Sequence, residues 1–222
     1  MEKSNGAGDG QAALGLSIPK TPSSHSSAAG GNASPPLIER PTKQVPVFPH
    51  FLPNELEPLA WIAGKWIVHE PGVVRYPTMK ADFKYSERIE FTFGGQKMLD
   101  YKAESWNPAI GPTALMHREV GFLRIKPGST DVALVIAHNF GVSEILEGKV
   151  SENSMWLMTS GISRMAFAAE PAVVANRRTF TFDPATEELE HVMEMQTTRT
   201  ALTEHLRIKY KRDTHQVPDA HK

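Results

Sequence analysis

From residue 87 onward, apolar and polar side chains alternate along the chain with a period of two. In residues 87–93, Ile89, Phe91 and Phe93 fall on one face and Arg88, Glu90 and Thr92 on the other. That is the pattern of a strand with one buried side. Gly94-Gly95-Gln96-Lys97 reads as a turn, and residues 98–106 as the returning strand. The same alternation predicts strands over 117–126, 132–139, 143–150, 155–159, 164–168, 176–182, 189–196 and 202–211. Turn chemistry separates several of them, at Pro127-Gly128-Ser129, Asn139-Phe140-Gly141 and Asp183-Pro184-Ala185-Thr186. Ahead of the strands, Leu56, Leu59, Ile62 and Ala63 recur at helical spacing, and Gly64 is placed to end the run. One short helix is expected there, or two turns interrupted at Pro58.

About ten short strands with brief connections and no intervening helices define an all-β antiparallel meander. A meander of this length with one apolar face removes its exposed edges most simply by closing into a barrel. Barrels of eight to ten strands can enclose a small-molecule cavity. A ligand-binding barrel is therefore the expected fold, with a β-sandwich as the alternative.

Composition narrows this further. Residues 1–48 are rich in Gly, Ala, Ser, Pro and Asn, and such a stretch buries too little apolar surface to offset its ordering entropy. A disordered tail over 1–48, a barrel over 49–213 and a frayed tail over 214–222 are expected. The formal net charge of −1 gives no electrostatic case for nucleic acid or an acidic membrane surface. No stretch reaches the roughly 18 apolar residues of a spanning helix, and the first residues lack the apolar run of a secretory signal. With no cysteine in the chain, disulfides and thiolate ligands are excluded. A cytoplasmic protein is the expectation, with the nucleus as an alternative.

The candidate chemistry lies in histidines. His205 stands at the entrance of the last strand, and a neutral imidazole at a barrel rim can hold a metal centre if it points into a cavity. Strict alternation opposes this, because it sets Leu202, Leu206, Ile208 and Tyr210 on one face and His205 with Arg207 and Lys209 on the other. A bulge near Leu206 would reverse its facing without moving the apolar side chains. His138 continues the face of Val132, Leu134 and Ile136, and His191 shares a face with Leu189, Met193 and Met195. Both can point inward, and hydrogen-bonded core histidines account for them as well as ligands do. The four tryptophans read as packing anchors.

Several ordered segments together resemble the nitrobindins, small haem-binding β-barrels. They are Leu56-Glu57-Pro58-Leu59-Ala60-Trp61-Ile62-Ala63-Gly64-Lys65-Trp66, Tyr76-Pro77-Thr78, Phe83-Lys84-Tyr85, Met116-His117-Arg118-Glu119, Gly121-Phe122-Leu123-Arg124, Thr197-Thr198 and Glu204-His205-Leu206. The chain is most similar to the animal form found as the C-terminal domain of THAP-type zinc-finger proteins, whose finger needs cysteines this chain lacks. After Trp66 it departs from the glycine-rich run of bacterial and plant members, as the animal members do. The resemblance implies a ten-stranded antiparallel barrel with haem b at its mouth and the iron held by His205. It also implies that Thr78 contacts the haem, that His117 lies near it, and that Met116 and Met195 supply apolar wall. The implied chemistry is isomerisation of peroxynitrite to nitrate by ferric haem, with nitric oxide binding to the ferrous form. The implied partners are thus haem, peroxynitrite and nitric oxide, and a monomer or a homodimer is expected. A carrier of a fatty acid or another apolar ligand is the alternative from a different class.

Overall fold

A computed structural model describes residues 52–75 and 82–214, all within the unit Phe48–Lys222. The expected disorder of residues 1–48 and the tail from 215 lie outside the described residues, as does Thr78. Eleven strands follow a short 3-10 helix, Asn54–Leu59. They are β1 (Gly64–Val68), β2 (Gly72–Val74), β3 (Phe83–Phe93), β4 (Leu99–Trp106), β5 (Leu115–Ile125) and β6 (Asp131–His138). The second half comprises β7 (Val142–Val150), β8 (Ser154–Arg164), β9 (Val173–Asp183), β10 (Glu188–Thr197) and β11 (Thr200–Arg212).

Each strand from β3 to β11 pairs antiparallel with the next. Closure comes from β1 and β2, which lie end to end between β3 and β11. Lys65 and Trp66 of β1 pair with Glu90 and Ile89, while Val73 and Val74 of β2 pair with Lys84 and Phe83. On the other side, Trp66 pairs with Arg212 and Val74 with Leu206. The two short strands therefore fill one position, and the result is the closed ten-position antiparallel barrel that the alternation predicts. One expected strand does not form. Residues 164–168 are not separate, because β8 runs unbroken to Arg164 and Met165–Ala168 close a turn through Ala168 N–H donating to the Met165 carbonyl at 3.1 Å. The expected helix is a 3-10 turn, since Pro58 lacks the N–H that an α-helix would use.

The two ends of the barrel differ. At one, Leu56, Leu59 and Ile62 are fully buried and plug the lumen against Trp66, whose indole N–H donates to the Ile62 carbonyl at 2.8 Å. Arg212 seals this end by stacking 4.2 Å over the Trp66 ring and donating to the carbonyls of Ala63 and Trp61. Phe91, Phe180, Leu99, Leu123, Leu134, Leu157 and Leu189 continue the core above the plug. The opposite end has no such plug among the described residues. Among the described residues, no helix is long and apolar enough to cross a membrane.

Two points of close strand approach leave no room for a side chain. A Cβ on Gly121 would lie 1.8 Å from the Val135 carbonyl oxygen, and one on Gly148 would lie 1.8 Å from that of Trp156. Backbone cannot yield there as a flexible side chain can. Gly121→Ala is therefore expected to lower stability by roughly 1–3 kcal/mol, read as a shifted denaturation midpoint. An unchanged midpoint would show that β5 and β6 can separate freely at this point.

Candidate cofactor-binding cavity

The unplugged end opens into a cavity of about 380 Å³, within the usual range for small-molecule sites. Its walls come from the last residue of β2, the first of β3, the ends of β4, β6, β8 and β10, and the starts of β5, β7, β9 and β11. Val74, Phe83, Phe140, Val142, Met193 and Met195 make the walls largely apolar.

His205 faces this cavity because β11 carries a bulge. Met193 pairs with Leu206 and Glu194 with Glu204, so His205 is the one residue of β11 that this register inserts between two successive pairs. The inserted residue lets His205 and Leu206 line the same cavity in succession. Glu204 meanwhile stays outside, ion-paired to Arg207 at 2.8 Å. The alternation objection is thereby removed without displacing Ile208 or Tyr210 from the core.

The imidazole is also oriented. Its Nδ1 lies 3.1 Å from the Arg75 carbonyl oxygen, and the Arg75 N–H donates to the His205 carbonyl at 2.7 Å. A proton on Nδ1 satisfies that contact and places the ring's lone pair on Nε2. Burial pushes the His205 pKa down, the Arg75 carbonyl opposes this in part, and the charge of Arg178 lowers it further. The ring is thus held as a neutral imidazole, the form that binds metals.

Of the other residues singled out in the sequence, Met116, His117 and Met195 all line the same cavity. Met116 is exposed at the rim and Met195 is buried in the wall. His138 and His191 line it too. The structure thus gathers around one space residues separated by up to 89 positions.

Below the apolar walls lies a charged layer that the sequence reading passed over. Arg178 is 2 % exposed and donates to both Glu119 oxygens, at 2.7 and 2.8 Å. The Tyr101 hydroxyl donates to Glu119 Oε2 at 2.7 Å. Burial alone would raise the Glu119 pKa, yet the Arg178 charge and hydrogen bonds hold it well below the usual carboxylate range. Glu144, also buried, accepts from Asn176 Nδ2 at 3.0 Å on each oxygen and from the Thr159 hydroxyl. His138 lies between the two carboxylates, 3.4 Å from Glu119 and 3.6 Å from Glu144. Burial lowers its pKa, and the carboxylates outweigh this and raise it. His117 is instead pushed down to about 4, chiefly by burial. Tyr210 donates to Glu87, whose carboxyl burial raises to about 7. The signal for this layer was present. Glu119 shares parity with Leu123 and Ile125, and Arg178 with Phe180 and Phe182, so both belong on the inner face.

His191 stacks on Phe180 with centroids 4.2 Å apart, and neither ring nitrogen has a hydrogen-bond partner among the described residues. Burial, then the Arg178 charge, lowers its pKa to about 3. The unfolded chain protonates this histidine near pH 6.5 and the folded one does not, so its contribution falls as pH drops from 6.5 towards 3. His191→Phe removes that loss. Between pH 7 and 5 its stability relative to wild type should improve by about 2 kcal/mol, measured by denaturant titration. Parallel curves for the two proteins would mean that His191 titrates normally in the fold.

A closed antiparallel barrel with an apolar, open-ended lumen and a neutral imidazole turned into it belongs to the class of barrels that hold a small molecule or cofactor in the mouth. Comparison with known proteins makes this specific. The family model described as a THAP4-like, heme-binding beta-barrel domain matches residues 55–212. Peroxynitrite isomerase THAP4 of Rattus norvegicus is 39% identical over 159 residues, which are 72% of this chain and 27% of that protein. The Homo sapiens form is 38% identical over the same shares. The chain thus spans about a quarter of the length of these relatives. Peroxynitrite isomerase Rv2717c of Arabidopsis thaliana is 28% identical over 77% of this chain and 93% of that one. The crystal structure of Rv2717c from M. tuberculosis superposes with a TM-score of 0.63 at 28% identity, covering 73% of this chain and 99% of that one. The chain belongs to the THAP4-like haem-binding β-barrel domain family.

The residues present fit a haem. One face of the cavity carries a neutral imidazole oriented by a backbone carbonyl, the outer-shell arrangement common to metal-binding histidines. The remaining walls are apolar enough to take a macrocycle.

Proposed function

We propose that this barrel binds haem b non-covalently through Nε2 of His205 and isomerises peroxynitrite to nitrate. The observation that carries the proposal is the bulge that turns His205 into the cavity while the Arg75 carbonyl holds its Nδ1. With no cysteine in the chain, thioether attachment of the macrocycle is excluded, which leaves a non-covalently held haem. The names of the THAP4 and Rv2717c relatives supply the substrate. When bound, the haem supplies the iron chemistry that rearranges peroxynitrite in the ferric state and binds nitric oxide in the ferrous state.

The protein's own residues supply position, polarity and exclusion. His205 would hold the iron, and Met116, Met195, Phe83 and Val74 would shield the macrocycle from water. His117, neutral because partial burial disfavours its charged form, would present a polar group on the wall without adding a charge. Thr78 joins the set by the resemblance of its segment. The fatty-acid carrier is the weaker reading, because Arg178, the buried cation that a carboxylate headgroup would seek, has both terminal nitrogens committed to Glu119. The test is a haemin titration followed at the Soret band, with stopped-flow decay of peroxynitrite on the loaded protein, for wild type and His205→Ala. A saturable one-to-one spectrum and accelerated decay in wild type support the proposal. Failure of wild type to take up haemin would end it.

A further inference from the structure

We propose that His117, Glu119 and His138 form a second, non-haem site for a divalent transition-metal ion on the cavity wall. His117 Nε2 and His138 Nδ1 are 3.1 Å apart and share a hydrogen bond that a bound ion would replace. Glu119 Oε1 lies 3.4 Å from His138 Nδ1 and 3.7 Å from His117 Nε2. An ion bound at about 2.0–2.2 Å in tetrahedral geometry needs its ligands roughly 3.3–3.5 Å apart. The three separations bracket that spacing, so a shift of a few tenths of an ångström brings the atoms onto one face of such a polyhedron. Two imidazoles and one carboxylate are a donor set that zinc and ferrous iron both accept, with at least one position left open.

The surrounding groups support the same geometry. Glu144 lies 3.6 Å from His138 Nε2, the carboxylate–histidine relation that turns the opposite ring nitrogen toward a metal. Two Asn176 contacts at 3.0 Å hold that carboxylate in place. His138 Nε2 is buried with no hydrogen-bond partner within range among the described residues, so the ring is aimed by packing and charge. Tyr101 and Arg178 Nη1 fix Glu119 Oε2, and Arg178 Nη2 takes one lone pair of Oε1, which leaves its second for an ion. Glu119 and Glu144 bring two buried negative charges against Arg178, and a bound cation would take the place of the proton that these carboxylates favour on His138. Phe140 packs against both imidazoles, with centroids 5.0 Å away, and keeps that side apolar.

The proposal does not depend on haem or on His205, so the haem-free full chain serves as the test. Titration with Zn²⁺ by calorimetry, and with Co²⁺ followed by its visible d–d absorption, should each give one ion per chain at this site. His117→Ala, at the half-exposed edge of the cluster, should weaken binding at least tenfold while its circular dichroism and melting curve stay those of a folded barrel. His138→Gln should do the same. His205→Ala should bind the ion as wild type does. The proposal is overturned if wild type binds no ion, if binding survives in folded His117→Ala, or if it is lost in His205→Ala.

Discussion

Replacing His205 with alanine should abolish the histidine-ligated Soret spectrum and weaken haemin binding by on the order of 100-fold or more. Removing an outer-shell partner of a metal ligand already costs 10–100-fold, and this change removes the ligand. The barrel itself should stay folded. His205 is an inserted residue, it is only half-buried, and the neighbouring pairs Met193 with Leu206 and Glu194 with Glu204 do not use its side chain. Stability should therefore change by less than about 1 kcal/mol. Added imidazole should restore the spectrum, because the deleted ring leaves a space of its own shape beside the Arg75 carbonyl. A variant that keeps the wild-type spectrum would show that another side chain holds the iron and that the bulge has no bearing on it.

The largest effect on folding is expected from Arg178→Met. Arg178 and Glu119 are 2 % and 5 % exposed and bind each other through two hydrogen bonds, so removing the cation strands a carboxylate where water cannot reach it. Breaking a buried pair from one side costs roughly 3–5 kcal/mol, a large part of an ordinary domain's stability. A fall in melting temperature of about 10 °C follows for a domain of this size. The double variant Arg178→Met with Glu119→Gln should recover much of the loss, because it removes the stranded charge as well as the pair. If the double variant is no more stable than the single one, packing of the arginine stem and not charge compensation is what Arg178 contributes.

The charged layer also shows why parts of the site were harder to read than the fold. Arg177 and Arg178 look alike in sequence. Arg177 faces outward onto Glu194 and Arg178 inward onto Glu119, and strand parity alone separates them. That parity was legible, because Phe180 and Phe182 define the inner face. The partner was not, because Glu119 is 59 positions away and meets Arg178 across the lumen, where no pairing of adjacent strands brings them together. The histidines behave in the same way. His138 and His191 could be assigned to the inner face from their neighbours, but the contact of His138 with His117, Glu119 and Glu144 depends on three strands meeting at one depth.

The sequence by itself determined the all-β architecture, the turns and most of the apolar core, because side-chain alternation is a property of each strand alone and turn residues act over four positions. It also determined that the lumen has an apolar lining, and its resemblance to nitrobindins pointed to a haem. Only the tertiary structure decided which way His205 faces. In an isolated strand His205 shares a face with Arg207 and Lys209. The facing is set by where β10 and β2 pair with β11, since the register on Met193 and Glu194 leaves one residue over and the Arg75 backbone catches it. A bulge arises from the mismatch between two strands' registers, and neither strand alone carries that mismatch.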